Sequence, residues 1–188
     1  MKILAIIPAR SGSKGIINKN SRLFVDKPLI VHTIETAKAS TSLDRVIVST
    51  DSDSIAHIAK EAGADVPVMR PPEMATDTSS VVDPCIHLLD YLKEKEGYEP
   101  THVMLLQPTS PLRETDDIEK AIALYTSRDV DSLVSVCRTE NLIIKKSDDD
   151  TLSILNAEEF VSSNRQELPE YYKLDGSRIY RTKTSLLR

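Results

Sequence analysis

Short apolar runs and helical apolar stripes alternate along the first three-quarters of the chain. Ile3-Leu4-Ala5-Ile6-Ile7 is apolar throughout, largely branched and closed by Pro8, which predicts a buried strand. From Pro28, the residues Ile30, Ile34 and Ala37 recur at helical spacing up to Ser40. Arg45-Val46-Ile47-Val48-Ser49 is a second strand, and Ser54 is placed to cap a helix through Ile55, Ile58 and Ala59 that Gly63 stops. Val66-Pro67-Val68-Met69 is a short third strand, put near an edge by its proline. Val81, Cys85, Leu88 and Leu92 share one helix face, with Pro84 tolerable only in the first turn. Val103 to Leu106 is a fourth strand, a helix follows from about Asp117 to Ser127, and Leu133 to Val136 is a further strand.

This alternation predicts an α/β fold of three layers, a mainly parallel sheet with helices on both faces and right-handed crossovers. Ligands in such folds sit at the carboxyl ends of the strands. Three polar loops marked by proline or glycine start there, at Pro8, Arg70 and Gln107, so topology alone brings them to one edge. After Arg138 the pattern changes. Leu142 to Lys145 and Leu152 to Leu155 read as a hairpin around Ser147-Asp148-Asp149-Asp150. The stretch from Arg165 to Pro169 returns toward the body, and Arg178 to Arg181 reads as one more strand. The organisation expected is a single domain over 1–188, with 139–164 a projecting hairpin that serves as a lid or a dimer contact.

The loop after the first strand, P-A-R-S-G-S-K-G-I-I-N-K-N from Pro8 to Asn20, carries the candidate chemistry. Gly12 and Gly15 allow positive φ and close approach of backbone N–H groups, and Arg10, Lys14 and Lys19 add positive charge. Together they suit an anion with several oxygens, such as a nucleoside triphosphate. The spacing fits neither a Walker loop nor a dinucleotide fingerprint, and a solvated basic turn stays open as an alternative.

Composition narrows this further. The chain has 188 residues and a net charge of −5, which argues against bulk affinity for nucleic acid or anionic membrane and makes local basic clusters small-anion sites. Cys85 and Cys137 are in no metal or redox spacing and read as free thiols. The four histidines have no metal spacing, and no Gly-x-Ser-x-Gly elbow or histidine partner supports Ser13 or Ser110 as a nucleophile. Asp51 and Asp53 read as loop and capping residues in preference to metal ligands, and Asp148-Asp149-Asp150 as a solvated turn. No stretch approaches the length of a membrane span and the N-terminus lacks a signal-peptide pattern, so a cytoplasmic location is expected.

Taken in order, I-I-P-A-R-S-G-S-K-G-I (Ile6 to Ile16), K-N (Lys19, Asn20), K-P-L-I (Lys27 to Ile30), V-I-V-S-T-D (Val46 to Asp51), R-P-x-E-x-A-T-D-T (Arg70 to Thr78), L-L-Q-P-T-S-P-L-R (Leu105 to Arg113) and R-Q-E-L-P (Arg165 to Pro169) resemble the acylneuraminate cytidylyltransferases, the CMP-sialic acid synthetases. The similarity covers nearly the whole chain. It implies a Rossmann-like nucleotidyltransferase fold, the substrates CTP and an acidic nine-carbon 2-keto sugar, and a homodimer made through the hairpin. By resemblance Arg10, Lys14 and Lys19 act on the triphosphate as catalytic cations. Ser13, Asn20, Arg70, Thr78, Ser79 and Ser80 hold the nucleotide, while Gln107, Arg165 and Tyr180 fall on the sugar side. The implied reaction is attack of the anomeric hydroxyl on the α-phosphorus, with Mg²⁺ or Mn²⁺ bridging phosphate oxygens.

The chain departs from the family at several places. Ile17-Asn18 stands where Pro-Gly is usual, Val81 where a small hydroxyl residue is common, and Asp175-Gly176-Ser177-Arg178-Ile179-Tyr180 where Asn-Gly-Ala-Ile-Tyr is usual. No residue is assigned here as a metal ligand. The family's Asp-x-Asp pair has no counterpart in Thr182 to Arg188, which implies a fragment or a shortened homologue that has lost full activity. Three alternatives to sialic acid activation follow: legionaminic or pseudaminic acid as the sugar, a non-catalytic CTP-binding homologue, and, disfavoured by the Ser-Gly-Ser-Lys-Gly loop, a Kdo-type cytidylyltransferase.

Overall fold

In the computed structural model every side chain from Ile3 to Ile7 is buried, on alternating faces of the strand Ile3–Pro8 (β1). The structure describes residues 1–13, 15–76, 79–139, 144–154, 170–175 and 179–187. After β1 come the short strands Leu23–Phe24 (β2) and Lys27–Pro28 (β3), helix Leu29–Lys38 (α1), Arg45–Ser49 (β4), Asp53–Glu61 (α2), Asp83–Glu96 (α3), His102–Leu105 (β5), Thr115–Thr126 (α4) and Ser132–Val134 (β6). Then follow Val136–Thr139 (β7), Ile144–Lys146 (β8), Leu152–Ile154 (β9), Tyr171–Leu174 (β10) and Tyr180–Lys183 (β11). Chain contacts group these into one unit of Met1–Val134 with Gly176–Arg188, and a second of Ser135–Asp175.

The first unit is built on a five-stranded sheet in the order β4-β1-β5-β11-β6. β1 runs parallel to β4 and β5, whereas β11 is antiparallel to both β5 and β6. The sheet is therefore mixed but mainly parallel. Ile3, Ala5 and Ile7 pack on one face against Ile30, Ile34 and Ala37 of α1, Ile55 and Ala59 of α2, and Ile118 and Ile122 of α4. Leu4 and Ile6 point the other way, onto Cys85, Leu88, Leu89 and Leu92 of α3. A strand with no polar position is what a sheet covered on both sides requires, and it gives three layers.

Several expected boundaries shift for local reasons. The helix after β4 is capped by Ser52, whose Oγ accepts the Ile55 N–H at 3.4 Å, and Ser54 lies inside its first turn. Residues 66–69 form no strand: only Asp65 bridges to Ile47, and Pro67 has no N–H with which to extend the ladder. The run Leu133 to Val136 is divided at Ser135 between β6 and β7, and the strand expected from Arg178 begins at Tyr180. Pro84 does sit in the first turn of α3, which Gly97 closes with φ 61.

The hairpin of β2 and β3 carries a strained residue. Val25, at its turn, has φ 62 and is 87% exposed. A branched side chain costs about 1–2 kcal/mol in the left-handed region and packs against little in return. Val25→Asn is expected to raise stability by about 0.5–1 kcal/mol, read as a higher denaturation midpoint at unchanged slope.

Glu119 of α4 ties down the turn between α1 and β4. It accepts the Ser40 hydroxyl at 2.7 Å, the Thr41 and Ser42 N–H groups at 3.0 and 3.3 Å, and the Ser42 hydroxyl at 2.5 Å. The hydrogen bonds from Ser42 and Ser40 hold its carboxyl below its ordinary value of 4.5. A depressed folded value means stabilisation that is present above the unfolded value and lost as pH falls through the folded one. Glu119→Gln should therefore cost about 1 kcal/mol at neutral pH, discounted for the partly exposed setting. Urea melts of the two proteins should converge as the pH drops below about 4.5.

In the second unit β7 pairs antiparallel with β10, and β8 with β9. Ser135 Oγ donates to Asp175 Oδ1 at 3.0 Å across its base. In the β8–β9 turn Asp149 accepts the Thr151 N–H and hydroxyl at 3.1 and 2.6 Å, and Asp150 takes φ 65. The rest of the segment expected to project, residues 140–143 and 155–164, lies outside the described residues.

Candidate functional site

The ends of β1 and β4 are bound to each other before either chain turns away. Pro8 pairs with Ser49 in the parallel register, and the next N–H, of Ala9, donates to the Ser49 carbonyl at 2.9 Å. Asn20 closes the loop that follows. It is buried, its Nδ2 donates to the Arg10 carbonyl at 3.0 Å, and its own carbonyl accepts the Ile30 N–H at the start of α1. Neither Gly12 nor Gly15 takes the positive φ that the sequence allows, and a Cβ on either would meet nothing within 4 Å. Asn18, with φ 54, makes that turn instead, as a short polar side chain can.

Arg70 brings in the second loop. It is 7% exposed, and its guanidinium donates to the Ser49 carbonyl at 2.7 Å and the Ser49 hydroxyl at 3.2 Å. Burial lowers its pKa, and the nearby Arg10 charge lowers it further while Asp51 and Cys85 act the other way. It stays a cation at any working pH. Among the described residues no carboxylate pairs with it, which is an unusual state for a buried charge. Further along, Ser79 Oγ donates to the Glu73 carbonyl at 3.1 Å and lies 2.6 Å from Thr76 Oγ1. Ser80 Oγ accepts the Val82 N–H at 3.0 Å, ahead of α3.

The third loop leaves β5. The buried Arg113 donates to the Gln107 carbonyl at 3.1 Å, and the Thr36 hydroxyl of α1 donates to the Arg113 carbonyl at 3.2 Å. The arginine that ends L-L-Q-P-T-S-P-L-R thus shapes the turn that presents Gln107.

These loops line one open cleft of about 270 Å³. Of the residues expected from sequence it gathers Arg10, Ser13, Lys19, Asn20, Arg70, Ser79, Ser80 and Gln107. Tyr180, opposite Leu105, stands at the same edge of the sheet but does not line the cleft. Lys14, Thr78 and Arg165 lie outside the described residues. The sequence did not assign to the site the apolar wall of Pro8, Met74, Pro84 and Pro108, nor Thr76 and Thr109; Val81, noted as a departure from the family, completes that wall. Pro8, Met74, Thr76, Pro108 and Thr109 all fall within the runs quoted from the sequence, so they had a signal.

The electrostatics are one-sided. In a chain of net charge −5, the described lining carries Arg10, Lys19 and Arg70 and no carboxylate. Cys85, beneath the cleft, is buried and donates to the Val81 carbonyl at 3.2 Å. Burial pushes its thiol up to about 11, so it is no nucleophile at neutral pH. Among the described residues no three His, Cys, Asp or Glu side chains converge on a metal-sized site, and no helix is long and apolar enough to cross a membrane. The arrangement can hold an extended polyanion by its cations and place a flat apolar group against the proline-rich wall.

Comparison with known proteins agrees with that chemistry. The family pattern described as Cytidylyltransferase matches residues 4–185. An N-acylneuraminate cytidylyltransferase of Escherichia coli O18:K1:H7 is 42% identical over 175 residues, 91% of this chain and 40% of that protein. A CMP-N,N'-diacetyllegionaminic acid synthase of Legionella pneumophila is 46% identical over 125 residues, 66% of this chain and 53% of that protein. The chain thus spans about half or less of the length of these relatives. Among solved structures, a CMP:2-keto-3-deoxy-manno-octonic acid synthetase complexed with CTP superposes with a TM-score of 0.74 at 19% identity, covering 100% of this chain and 76% of that one. At that identity the likeness speaks for the fold.

Proposed function

The chain belongs to the cytidylyltransferase family, and from that premise we propose that it transfers CMP from CTP to a nonulosonic acid, N-acylneuraminate in the first place, and releases pyrophosphate. The observation that carries this reading is the cleft itself: three converging loops, three cations and no described carboxylate, in an acidic protein. The anomeric hydroxyl of the sugar attacks the α-phosphorus, and negative charge grows on the departing pyrophosphate. Arg10, Lys14 and Lys19 stabilise that charge, because fixed cations need no reorganisation as it develops. Ser13, Asn20, Arg70, Thr78, Ser79 and Ser80 hold the nucleotide, and Gln107 contacts the sugar acid.

The divalent ion, Mg²⁺ or Mn²⁺, enters as part of the nucleotide substrate. Among the described residues no three His, Cys, Asp or Glu side chains converge, and both carboxylate oxygens of Asp51 accept hydrogen bonds from Ser11. We further propose a cytoplasmic homodimer with residues 139–164 at its contact.

Pyrophosphate release from CTP with N-acetylneuraminate, legionaminate and pseudaminate is the test. Release with the first supports the reading, and release with one of the others alone reassigns the sugar. Calorimetric binding of CTP without release from any of the three marks a non-catalytic nucleotide-binding protein and overturns the enzyme reading.

A further inference from the structure

On the reading of the cleft as a CTP site, we propose that Asp51 is a positioning residue that holds the phosphate-binding loop in register by gripping Ser11. β1 and β4 run side by side with Pro8 opposite Ser49, so Ser11, three residues on, and Asp51, two residues on, leave the sheet at the same height. Asp51 Oδ1 accepts the Ser11 N–H at 2.8 Å and Oδ2 accepts the Ser11 hydroxyl at 2.5 Å. Both carboxylate oxygens are committed to one residue, which fixes its backbone as well as its side chain. The Ser11 carbonyl then accepts the Ser13 N–H at 2.9 Å, and Ser13 lines the cleft, so the grip extends two residues into the loop.

A carboxylate at this place needs a reason. It stands near Arg70, whose charge it attracts, and a polyphosphate bound in the cleft would be repelled by it. Its two charge-assisted hydrogen bonds supply an offsetting gain, because a loop that already holds its bound shape loses less conformational freedom when the ligand arrives. Asp51 touches no reacting atom on this account. It acts through Ser11, and its loss lowers the fraction of molecules with the loop in place.

The experiment is calorimetric titration of CTP with Mg²⁺ into the full chain and its variants at about 0.15 M salt, with hydrogen exchange followed at Ser11 to Ser13. Asp51→Ala is expected to weaken CTP binding about tenfold and Ser11→Ala about threefold, with melting temperatures within about 2 °C of the parent. Asp51→Asn, whose amide oxygen still accepts the Ser11 N–H, should recover part of the loss. The Ser11→Ala/Asp51→Ala pair should bind no more weakly than Asp51→Ala alone, since both changes break one link. Unchanged or tighter binding in Asp51→Ala overturns the proposal, tighter being the result if the carboxylate only repels phosphate. Additive losses overturn it as well. If Asp51→Ala does not fold, Ser11→Ala and Asp51→Asn decide by the same criteria. If the parent chain binds no CTP, the reading of the cleft fails by itself. The grip is then judged by exchange: faster exchange at Ser11 to Ser13 in the Asp51 variants upholds it, and unchanged exchange rejects it.

Discussion

Lys19→Ala is expected to lower turnover about 100-fold to 1,000-fold and to leave stability within about 0.5 kcal/mol of the parent. Lys19 lines the cleft and is half-buried, and no hydrogen bond or ion pair of its ammonium is among the described contacts. The fold therefore loses little when it goes. What is lost is a fixed positive charge beside the phosphates, whose attraction grows as the leaving group takes up charge. Because the same charge attracts the phosphates of bound CTP, its loss appears in binding as well as in kcat. Steady-state pyrophosphate release together with a thermal melt checks both halves. A large fall in melting temperature with turnover intact would show that Lys19 is a structural residue.

Arg70→Met should separate stability from binding even more clearly. The folded chain holds this guanidinium at 7% exposure, with hydrogen bonds to Ser49 and no described carboxylate partner. Its net contribution to folding is small, because desolvation offsets what the two acceptors return, and an apolar side chain of similar length is tolerated at such positions. The Ser49 carbonyl also keeps a donor in the variant, the Ala9 N–H. CTP affinity, by contrast, should fall about 100-fold, near 2.7 kcal/mol, because the variant loses a cation held ready in a low-dielectric wall. Melting temperature should stay the same or rise. An unfolded or strongly destabilised variant would mean that Arg70 supports the fold in its own right.

Much of the fold was legible because it is written locally. β1 carries no polar residue, β4 matches its apolar run from Arg45 to Ser49, and Pro84 and Gly97 bound α3 at the positions their backbones favour. The parts that escaped were decided at long range. β11 enters between β5 and β6 against the parallel grain, and nothing within Tyr180–Lys183 announces which neighbours it will take. Residues 66–69 have the composition of a strand but only the bridge of Asp65 to Ile47 forms, because Pro67 withholds its donor. The β2–β3 turn places a valine at positive φ, where sequence favours Asn or Gly, so no hairpin could be read there.

The site divides in the same way. Its cations and its three loops were visible, since charge clusters are sequence properties and two of the loops follow β1 and β5 at their carboxyl ends. The strand expected before Arg70 does not form, and hydrogen bonds of Arg70 to Ser49 bring that loop in instead. The grip of Asp51 on Ser11 and the anchoring of Gln107 by Arg113 were not visible, because each depends on the register of two strands or the fold-back of one turn. Gly12 and Gly15 suggested a left-handed turn that Asn18 makes instead.

Calorimetric titration of CTP with Mg²⁺ into this chain tests the central claim most directly. A cleft charged by Arg10, Lys19 and Arg70 predicts a single site whose affinity falls as salt rises and is largely lost in Lys19→Ala and Arg70→Met. No heat of binding, or an affinity that neither salt nor those substitutions alter, would contradict it.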